Sequence, residues 1–305
     1  MLIAVTGASG FLGRYLVRNL VQAGHRLRCW YRPTSDRTGF DDVNPHIEWL
    51  PGDLADPKAA ALLVRGVDAV VHSGLQWQRQ GGSRFSGHDN QYPFLEANLM
   101  GSLRLFQEAH SAGVQRFVFI STCAVHEIIL PDRPLDETHP LWPTSHYGAH
   151  KAALEKFVHS YGLGHGWAIC ALRPTGIYGL AHPPSASRWF DLVGQVLRGE
   201  PIASAKGGKE VHAADVAKAV ELLLKTDAKV IGGQAFNCYD RYISEQEVAR
   251  IAKELTGSKS TIADLNRGPK NQIVTAKLRG LGMTFGGEGL LRKTVQELIQ
   301  ARHKS

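Results

Sequence analysis

The sequence predicts an α/β protein built on a doubly wound parallel sheet, and three observations carry that prediction. Short apolar runs rich in β-formers alternate with longer helical patterns through the first half of the 305-residue chain. A turn with regularly spaced glycines joins the first such run to the first helical pattern. No apolar stretch approaches the roughly 18 residues that a membrane helix needs. Alternation of this kind implies βαβ units whose helices cover both faces of the sheet.

The strand candidates are Leu2–Thr6, Leu27–Tyr31, Ile47–Leu50, Ala69–His72, Phe117–Ser121 and Ala168–Leu172. Helical patterns lie between them near Leu12–Gln22, Lys58–Val64, Phe94–His110 and Ala149–Tyr161. The first and third of these space their apolar residues by three and four, as a face packed on a sheet requires. After Arg173-Pro174 the alternation weakens into Pro183-Pro184, a helical stretch Ser187–Arg198 and a Gly/Lys-rich loop at Lys206–Lys209. Asp215–Leu224 reads as a further helix of the large domain, and Ser244-Glu245-Gln246-Glu247 as a capping box for a helix running to about Leu255. The expected division is residues 1–173 plus about 211–235 as the larger domain, with 174–210 and 236–305 as a smaller, partly interleaved C-terminal domain. The polar, Gly-rich stretch Gln76–Gln91 is the candidate for a mobile flap.

Composition narrows the function. The formal charge of +7 favours anionic ligands, but Lys and Arg are dispersed rather than clustered with aromatics, which argues against nucleic acid. Cys29, Cys123, Cys170 and Cys238 stand far apart with no metal or redox spacing. The opening Met1-Leu2-Ile3-Ala4-Val5 has no basic flank and is broken by Gly7 and Gly10, so the expected location is cytoplasmic, away from membranes.

Thr6-Gly7-Ala8-Ser9-Gly10-Phe11-Leu12-Gly13 follows the first strand and opens the first helix. Gly7 permits the tight turn, Gly10 lets backbone approach a pyrophosphate, and Gly13 lets helix and strand pack closely. The helix N-terminus then stabilises the negative charge, so Gly7 through Gly13, with Ser9, Phe11 and Leu12, are the candidate dinucleotide contacts. The second strand ends in Tyr31-Arg32-Pro33-Thr34-Ser35, where an acidic residue would hydrogen-bond an adenosine ribose and repel a 2′-phosphate. No carboxylate sits there. Arg32 offers a phosphate a bidentate fork, aided by Thr34, Ser35 and Arg37, or is an ordinary surface arginine. The preferred cofactor is therefore NADP over NAD. Asp53 either accepts a hydrogen bond from adenine or shapes a turn.

Tyr147-Gly148-Ala149-His150-Lys151 places a phenol and an ammonium four residues apart on one helix face. Free tyrosine titrates at about 10, and a nearby cation is expected to lower that value toward useful acid/base chemistry. Ser121-Thr122 ends the fifth strand, at the edge where open α/β sheets bind ligands.

With these motifs the chain resembles the extended short-chain dehydrogenase/reductases, the NAD-dependent epimerase/dehydratase family. The resemblance also covers Gly52-Asp53-Leu54, Val70-Val71-His72, Asn98-Leu99-Met100-Gly101, Leu172-Arg173-Pro174, Tyr178-Gly179 and Val211 through Ala217. It implies a Rossmann-type sheet with a small substrate domain, Tyr147 as acid/base, Lys151 also holding the nicotinamide ribose, and Thr122 hydrogen-bonding the substrate oxygen. Leu54, Ser73 and Pro174 would join the cofactor contacts. A homodimer that pairs the helices near Phe94–His110 and Ala149–Tyr161 is implied as well.

Departures from the family pattern bear on the substrate. Nucleotide-sugar epimerases carry Asn in Arg-Pro-x-Asn-x-Tyr-Gly, whereas here Arg173-Pro174-Thr175-Gly176-Ile177-Tyr178-Gly179 has Gly176, which offers no side-chain contact to a diphosphate. An Arg expected before the motif ending at Asp215 is replaced within Gly207-Gly208-Lys209-Glu210. The dehydratase pattern Ser-Thr-Asp-Glu is Ser121-Thr122-Cys123-Ala124 here, which argues against 4,6-dehydration. Cys123, Thr175 and Gly176 are candidate substrate neighbours. Trp77, His126, Trp142 and Trp189 lie where substrate contacts or plain packing are both expected, and His146 and His150 read as surface or rim histidines with no metal role. Three functions fit a small-molecule substrate site: NADP(H)-linked reduction of a ketone or aldehyde, epimerisation of a sugar or nucleotide sugar with tightly held cofactor, and non-catalytic dinucleotide sensing.

Overall fold

The computed structural model describes residues 1–76, 79–80, 83–84, 91–265 and 268–304. Two compact units can be told apart, one comprising Met1–Pro174, Ala217–Cys238 and Ile273–Met283, the other Thr175–Val216, Tyr239–Gln272 and Thr284–Ser305. In chain order the strands are β1 Leu2–Thr6, β2 Arg26–Tyr31, β3 Ile47–Pro51, β4 Ala69–His72, β5 Arg79–Gln80, β6 Ser83–Arg84, β7 Arg116–Ile120, β8 Ala168–Pro174, β9 Gly176–Tyr178, β10 Gly207–His212, β11 Gln234–Cys238 and β12 Arg241–Ser244.

The first unit is built on a seven-stranded sheet in the order β11-β8-β7-β4-β1-β2-β3, with every pairing parallel. Val5 of β1 pairs with Cys29 on one side and Val71 on the other. The chain runs outward from β1 to β3, returns to β4, and runs outward the other way. That reversal beside β1 is the switch point at whose carboxyl edge doubly wound sheets bind ligands. Strands covered on both faces read as unbroken apolar runs, and Ile3, Ala4, Val5, Val70, Val71, Phe117, Val118 and Phe119 are all fully buried. Among its helices are Phe11–Gln22, Ala59–Val64, a continuous run from Gln91 to Ser111 with a π-helical turn at Glu96–Met100, and His146–His159. Leu63, Leu105, Phe106 and Leu154 from these helices share one core with Phe117, Phe119 and Ile169 from the sheet.

The second unit holds a three-stranded sheet, β12-β10-β9, in which β10 runs parallel to β9 and antiparallel to β12. Helices Phe190–Leu197, Glu245–Thr256 and Gly287–His303 supply Val193, Val196, Val248, Ala252, Leu291, Val295 and Leu298 to its core. Ser244 caps its helix as expected, its hydroxyl accepting from the Glu247 amide at 3.1 Å. The reciprocal half of the box is absent, because the Glu247 carboxylate pairs with Arg241 at 2.6 Å.

The expected loop at Lys206–Lys209 is instead the start of β10. Gly207 pairs with Ser244 and Gly208 with Ile243, and side chains at these glycines would collide with Tyr242 and Glu210. Glycine serves close packing here rather than a turn. Most of Gln76–Gln91, including Trp77, lies outside the described residues. None of the four cysteines is in a disulfide, and three of them are buried. Among the described residues no cluster of three ligating side chains could hold a metal, and no helix is long and apolar enough to cross a membrane.

Candidate active site

The glycine turn leaves β1 at the reversal point. Gly7 has φ +72°, and a Cβ there would press on the Ser73 and Gly74 backbone at 2.9 Å. A Cβ at Gly13 would collide with the Gly7 carbonyl. Gly10 caps the helix Phe11–Gln22 with no side-chain hydrogen bond, so the amides of the first turn keep their donors. Ser9, Phe11 and Leu12 are partly exposed around that turn. Backbone donors, the positive end of a helix and no Cβ in the way make a cradle that fits a dinucleotide pyrophosphate.

A buried hydrogen-bond chain fixes the turn from beneath. The Ser102 hydroxyl donates to the Asn98 carbonyl, so it accepts from His72 Nε2 at 2.8 Å. His72 Nδ1 then accepts from the Thr6 hydroxyl at 2.6 Å, and Thr6 Oγ1 accepts from the Gly74 amide at 2.9 Å. Ser73 donates its hydroxyl to the Thr6 carbonyl at 2.7 Å. Burial first, and the nearby Lys151 second, hold His72 well below its ordinary value, so it is neutral. Asn98 sits in the π-helical turn and clamps Gln76 through both backbone groups, at 2.7 and 2.9 Å. Sequence reading left Asn98 without a role; the π-turn that aims it cannot be read from local pattern.

At the end of β2, Arg32 is exposed, and its turn is closed by Ser35, whose hydroxyl accepts from the Arg32 amide at 2.9 Å. Arg37 packs on the Tyr31 ring, 4.0 Å from its centroid. Arg14, buried, ties this segment to the glycine turn by donating to the carbonyls of Ser9, Asp36 and Thr38. Asp53 makes a turn, one carboxylate oxygen accepting from the Ala55 amide at 2.8 Å. Leu54 is buried, and its carbonyl lies so close to Gly101 that a Cβ there would collide.

Thr122 follows β7 and Tyr147 lies in the first turn of His146–His159, where the two side chains are hydrogen-bonded. Ser145 caps that helix at the Gly148 amide, 3.1 Å. Glu127 holds the cap in turn, accepting from the Ser145 amide and hydroxyl at 2.7 and 2.8 Å. Burial alone would raise the Glu127 carboxyl, yet hydrogen bonds from Thr144 and Ser145 hold it below its ordinary value. One turn beyond Tyr147, Lys151 Nζ donates to the Ile120 carbonyl at 2.8 Å and lies 4.5 Å from the Phe119 ring centroid. Burial lowers the Lys151 ammonium to about 7, with Glu155 acting the other way. The Tyr147 phenol stands above its ordinary value, raised by burial more than the Thr122 hydrogen bond lowers it. This corrects the expectation of a lowered phenol: the ammonium points at a backbone carbonyl, and loss of solvent is the larger effect.

Beneath these residues lies an ion pair that sequence reading missed. Glu155, fully buried, accepts from Arg173 Nε at 3.0 and 3.1 Å and from its Nη2 at 2.5 Å. The Ser121 hydroxyl also donates to Glu155. Arg173 further contacts His126 Nε2 at 3.2 Å, and Pro174 follows it at the end of β8. Burial, then Arg173, lowers His126 to about 4. The pair thus joins the carboxyl ends of β7 and β8 to the helix that carries Tyr147. Its only signal in the sequence was a Glu four residues after Lys151, indistinguishable from an ordinary helix-surface pair.

Cys123 donates its thiol to the Arg173 carbonyl at 3.0 Å. His150 is buried rather than on a rim, edge-on to Phe94 at 5.0 Å, because that helix face packs on the Phe94 helix. In the second unit, Thr175 Oγ1 is buried without a partner. Gly176 pairs with Glu210 across the β9–β10 ladder.

A sequence model described as Epimerase: NAD dependent epimerase/dehydratase family matches residues 3–238. The chain is 31% identical over 196 residues to a 3 beta-hydroxysteroid dehydrogenase/Delta 5-->4-isomerase of Mycobacterium tuberculosis, covering 63% of this chain and 51% of that protein. It is 34% identical over 128 residues to a 2-alkyl-3-oxoalkanoate reductase of Stenotrophomonas maltophilia, covering 41% and 34%. The chain therefore spans about half the length, or less, of these curated relatives. The UDP-glucose 4-epimerase of Thermus thermophilus, solved in complex with NAD, shares the fold with TM-score 0.76 at 23% identity, over 98% of this chain and 99% of that one.

Proposed function

Because the chain belongs to the NAD dependent epimerase/dehydratase family, and with it to the enzymes of the extended short-chain dehydrogenase/reductase type, we propose that it is an NADP(H)-linked oxidoreductase that reduces a ketone or aldehyde. The observation that carries this reading is the Thr122–Tyr147 hydrogen bond, one helical turn from Lys151 at the carboxyl edge of the sheet.

In this proposal Gly7, Ser9, Gly10, Phe11, Leu12 and Gly13 hold the pyrophosphate, Arg32, Asp53, Leu54 and Ser73 face the adenosine half, and Lys151 and Pro174 the nicotinamide half. A bound nicotinamide supplies the hydride when reduced and takes it back when oxidised. Thr122 Oγ1 and Tyr147 Oη would hydrogen-bond the substrate oxygen. As the carbonyl carbon becomes a carbinol, Tyr147 Oη gives its proton to that oxygen. A phenol raised by burial is protonated at neutral pH, which suits donation and hence reduction. Lys151, anchored on Ile120, offers positive charge on the same helix face as the phenolate that forms.

The NADP preference rests on Arg32 at the tip of β2 and the lack of a carboxylate there. Epimerisation uses the same parts and is the second reading; Gly176 weighs against its nucleotide-sugar form. The intact Thr122, Tyr147 and Lys151 weigh against a purely sensing role. Exposed Met100 and Phe157 on the helices expected to pair support a homodimer, which sedimentation would test.

The proposal is tested by turnover with NADPH and NADH against a 3-oxoalkanoate and a 3-ketosteroid, the substrate classes suggested by the relatives' names. One NADPH oxidised per alcohol formed is the expected outcome. Turnover of a sugar to its epimer on retained cofactor, with no net oxidation, would overturn it.

A further inference from the structure

Two consecutive residues at the end of β7 hold two successive turns of the helix His146–His159. The Ile120 carbonyl accepts from Lys151 Nζ at 2.8 Å, and the next residue, Ser121, donates its hydroxyl to Glu155. Lys151 and Glu155 stand four apart on one helix face, and both are buried, at 5% and 0% exposure. Arg173 of β8, equally buried, donates to Glu155 from Nε and Nη2. The helix face and the strand ends thus enclose two cations with one carboxylate. The other titratable groups around them bring no second anion. Burial first and Lys151 second lower His72 of β4 and, on the same helix, His150. Burial likewise lowers His126, beside Arg173, to about 4, and it raises the Tyr147 phenol, which stays protonated.

Cations enclosed in this way need a counter-charge. Arg173 does not give up its proton, whereas a buried lysine does so readily. Without Glu155, the excess positive charge would therefore be relieved at Lys151. Burial already lowers that ammonium to about 7, and Glu155 acts against burial. We propose that Glu155 is a positioning residue for the reaction: it keeps Lys151 a cation, pinned on the Ile120 carbonyl, so that the Tyr147 phenolate forms beside an ammonium rather than an amine. This rests on the oxidoreductase reading above. Reduction should hold while Lys151 is protonated and fall as pH rises through its titration, so Glu155 sets the alkaline limit of turnover.

The test titrates Lys151 by NMR in the full chain carrying carbon-13 lysine, its signal assigned by loss in Lys151→Arg, and follows kcat for NADPH-linked reduction over the same pH range. Glu155→Gln keeps the shape of the side chain and removes its charge, so both midpoints should lie about one pH unit or more below those of the wild type. Glu155→Asp, which restores the charge, should bring both back toward the wild type. Loss of packing alone would lower kcat at every pH and leave the midpoints in place, and that result would overturn the proposal. If Glu155→Gln does not fold, Glu155→Gln combined with Arg173→Gln also removes the unpaired guanidinium. Its Lys151 midpoint should still lie below that of the wild type, and an unchanged one would overturn the proposal. A wild type that reduces no carbonyl compound would instead refute the oxidoreductase reading, while the Lys151 midpoints still decide whether Glu155 holds the charge.

Discussion

Replacing Glu155 with Ala leaves the Arg173 guanidinium, itself 1% exposed, buried with no counter-charge. Three hydrogen bonds of 2.5 to 3.1 Å from Arg173 disappear, and the Ser121 hydroxyl loses its acceptor. Removing one partner of a buried pair costs about 3–5 kcal/mol, against a total of roughly 5–15 kcal/mol for a folded domain. Urea unfolding followed by tryptophan fluorescence and circular dichroism measures the loss. The control is the double replacement Glu155→Leu with Arg173→Met, which removes both charges and should recover much of the stability. A Glu155→Ala cost under about 1 kcal/mol would refute the reasoning, since it would put this pair in the range of exposed ones. A double variant as unstable as the single would do the same, by showing that shape rather than charge sets the cost.

Three further outcomes are expected. Arg32→Ala should weaken NADPH by about tenfold or more and leave NADH nearly unchanged, because only the 2′-phosphate needs the guanidinium; equal losses in fluorescence titrations would remove the basis for the cofactor preference. Glu127→Ala should cost about 1–2 kcal/mol, the range for a lost helix-cap partner, and lower turnover by loosening the helix start that carries Tyr147, as thermal melts and steady-state rates would register; unchanged values for both would contradict it. Acid should destabilise the fold between about pH 6.5 and 4. His126 and His212, lowered to about 4, and His150, lowered to about 3, stay neutral when folded. The unfolded chain binds protons from about pH 6.5 downward, so stability falls as pH falls, by up to roughly 2 kcal/mol per histidine at pH 5. Urea midpoints that do not fall across this range would contradict the burial of these rings.

The parts of the fold that were legible are those whose cause is local. Leu2–Thr6 and Ala69–His72 match their strands because central parallel strands, buried on both faces, must be continuous apolar runs. Phe117–Ser121 missed its strand, Arg116–Ile120, by one residue at each end. Strands β9 to β12 were not legible. They are short or mixed in polarity, and they exist through pairings such as Val211 with Ile177 that no local pattern encodes. The same division holds at the site. Gly7, Gly10 and Gly13 are readable because a turn and a close approach demand glycine where it stands. Glu155 with Arg173, and Glu210 across Gly176, are pairs of distant residues whose meaning depends on burial. The Tyr147 phenol was misjudged for the same reason: the spacing to Lys151 is visible in sequence, whereas desolvation is not.

Everything proposed for catalysis depends on Tyr147 as the proton donor to the substrate oxygen. Its most direct test is single-turnover oxidation of bound NADPH by a ketone in wild type and Tyr147→Phe, with NADPH affinity measured on the same samples. The expected result is a rate lowered by about 100-fold or more at nearly unchanged NADPH affinity. A phenylalanine variant that turns over like the wild type would contradict it.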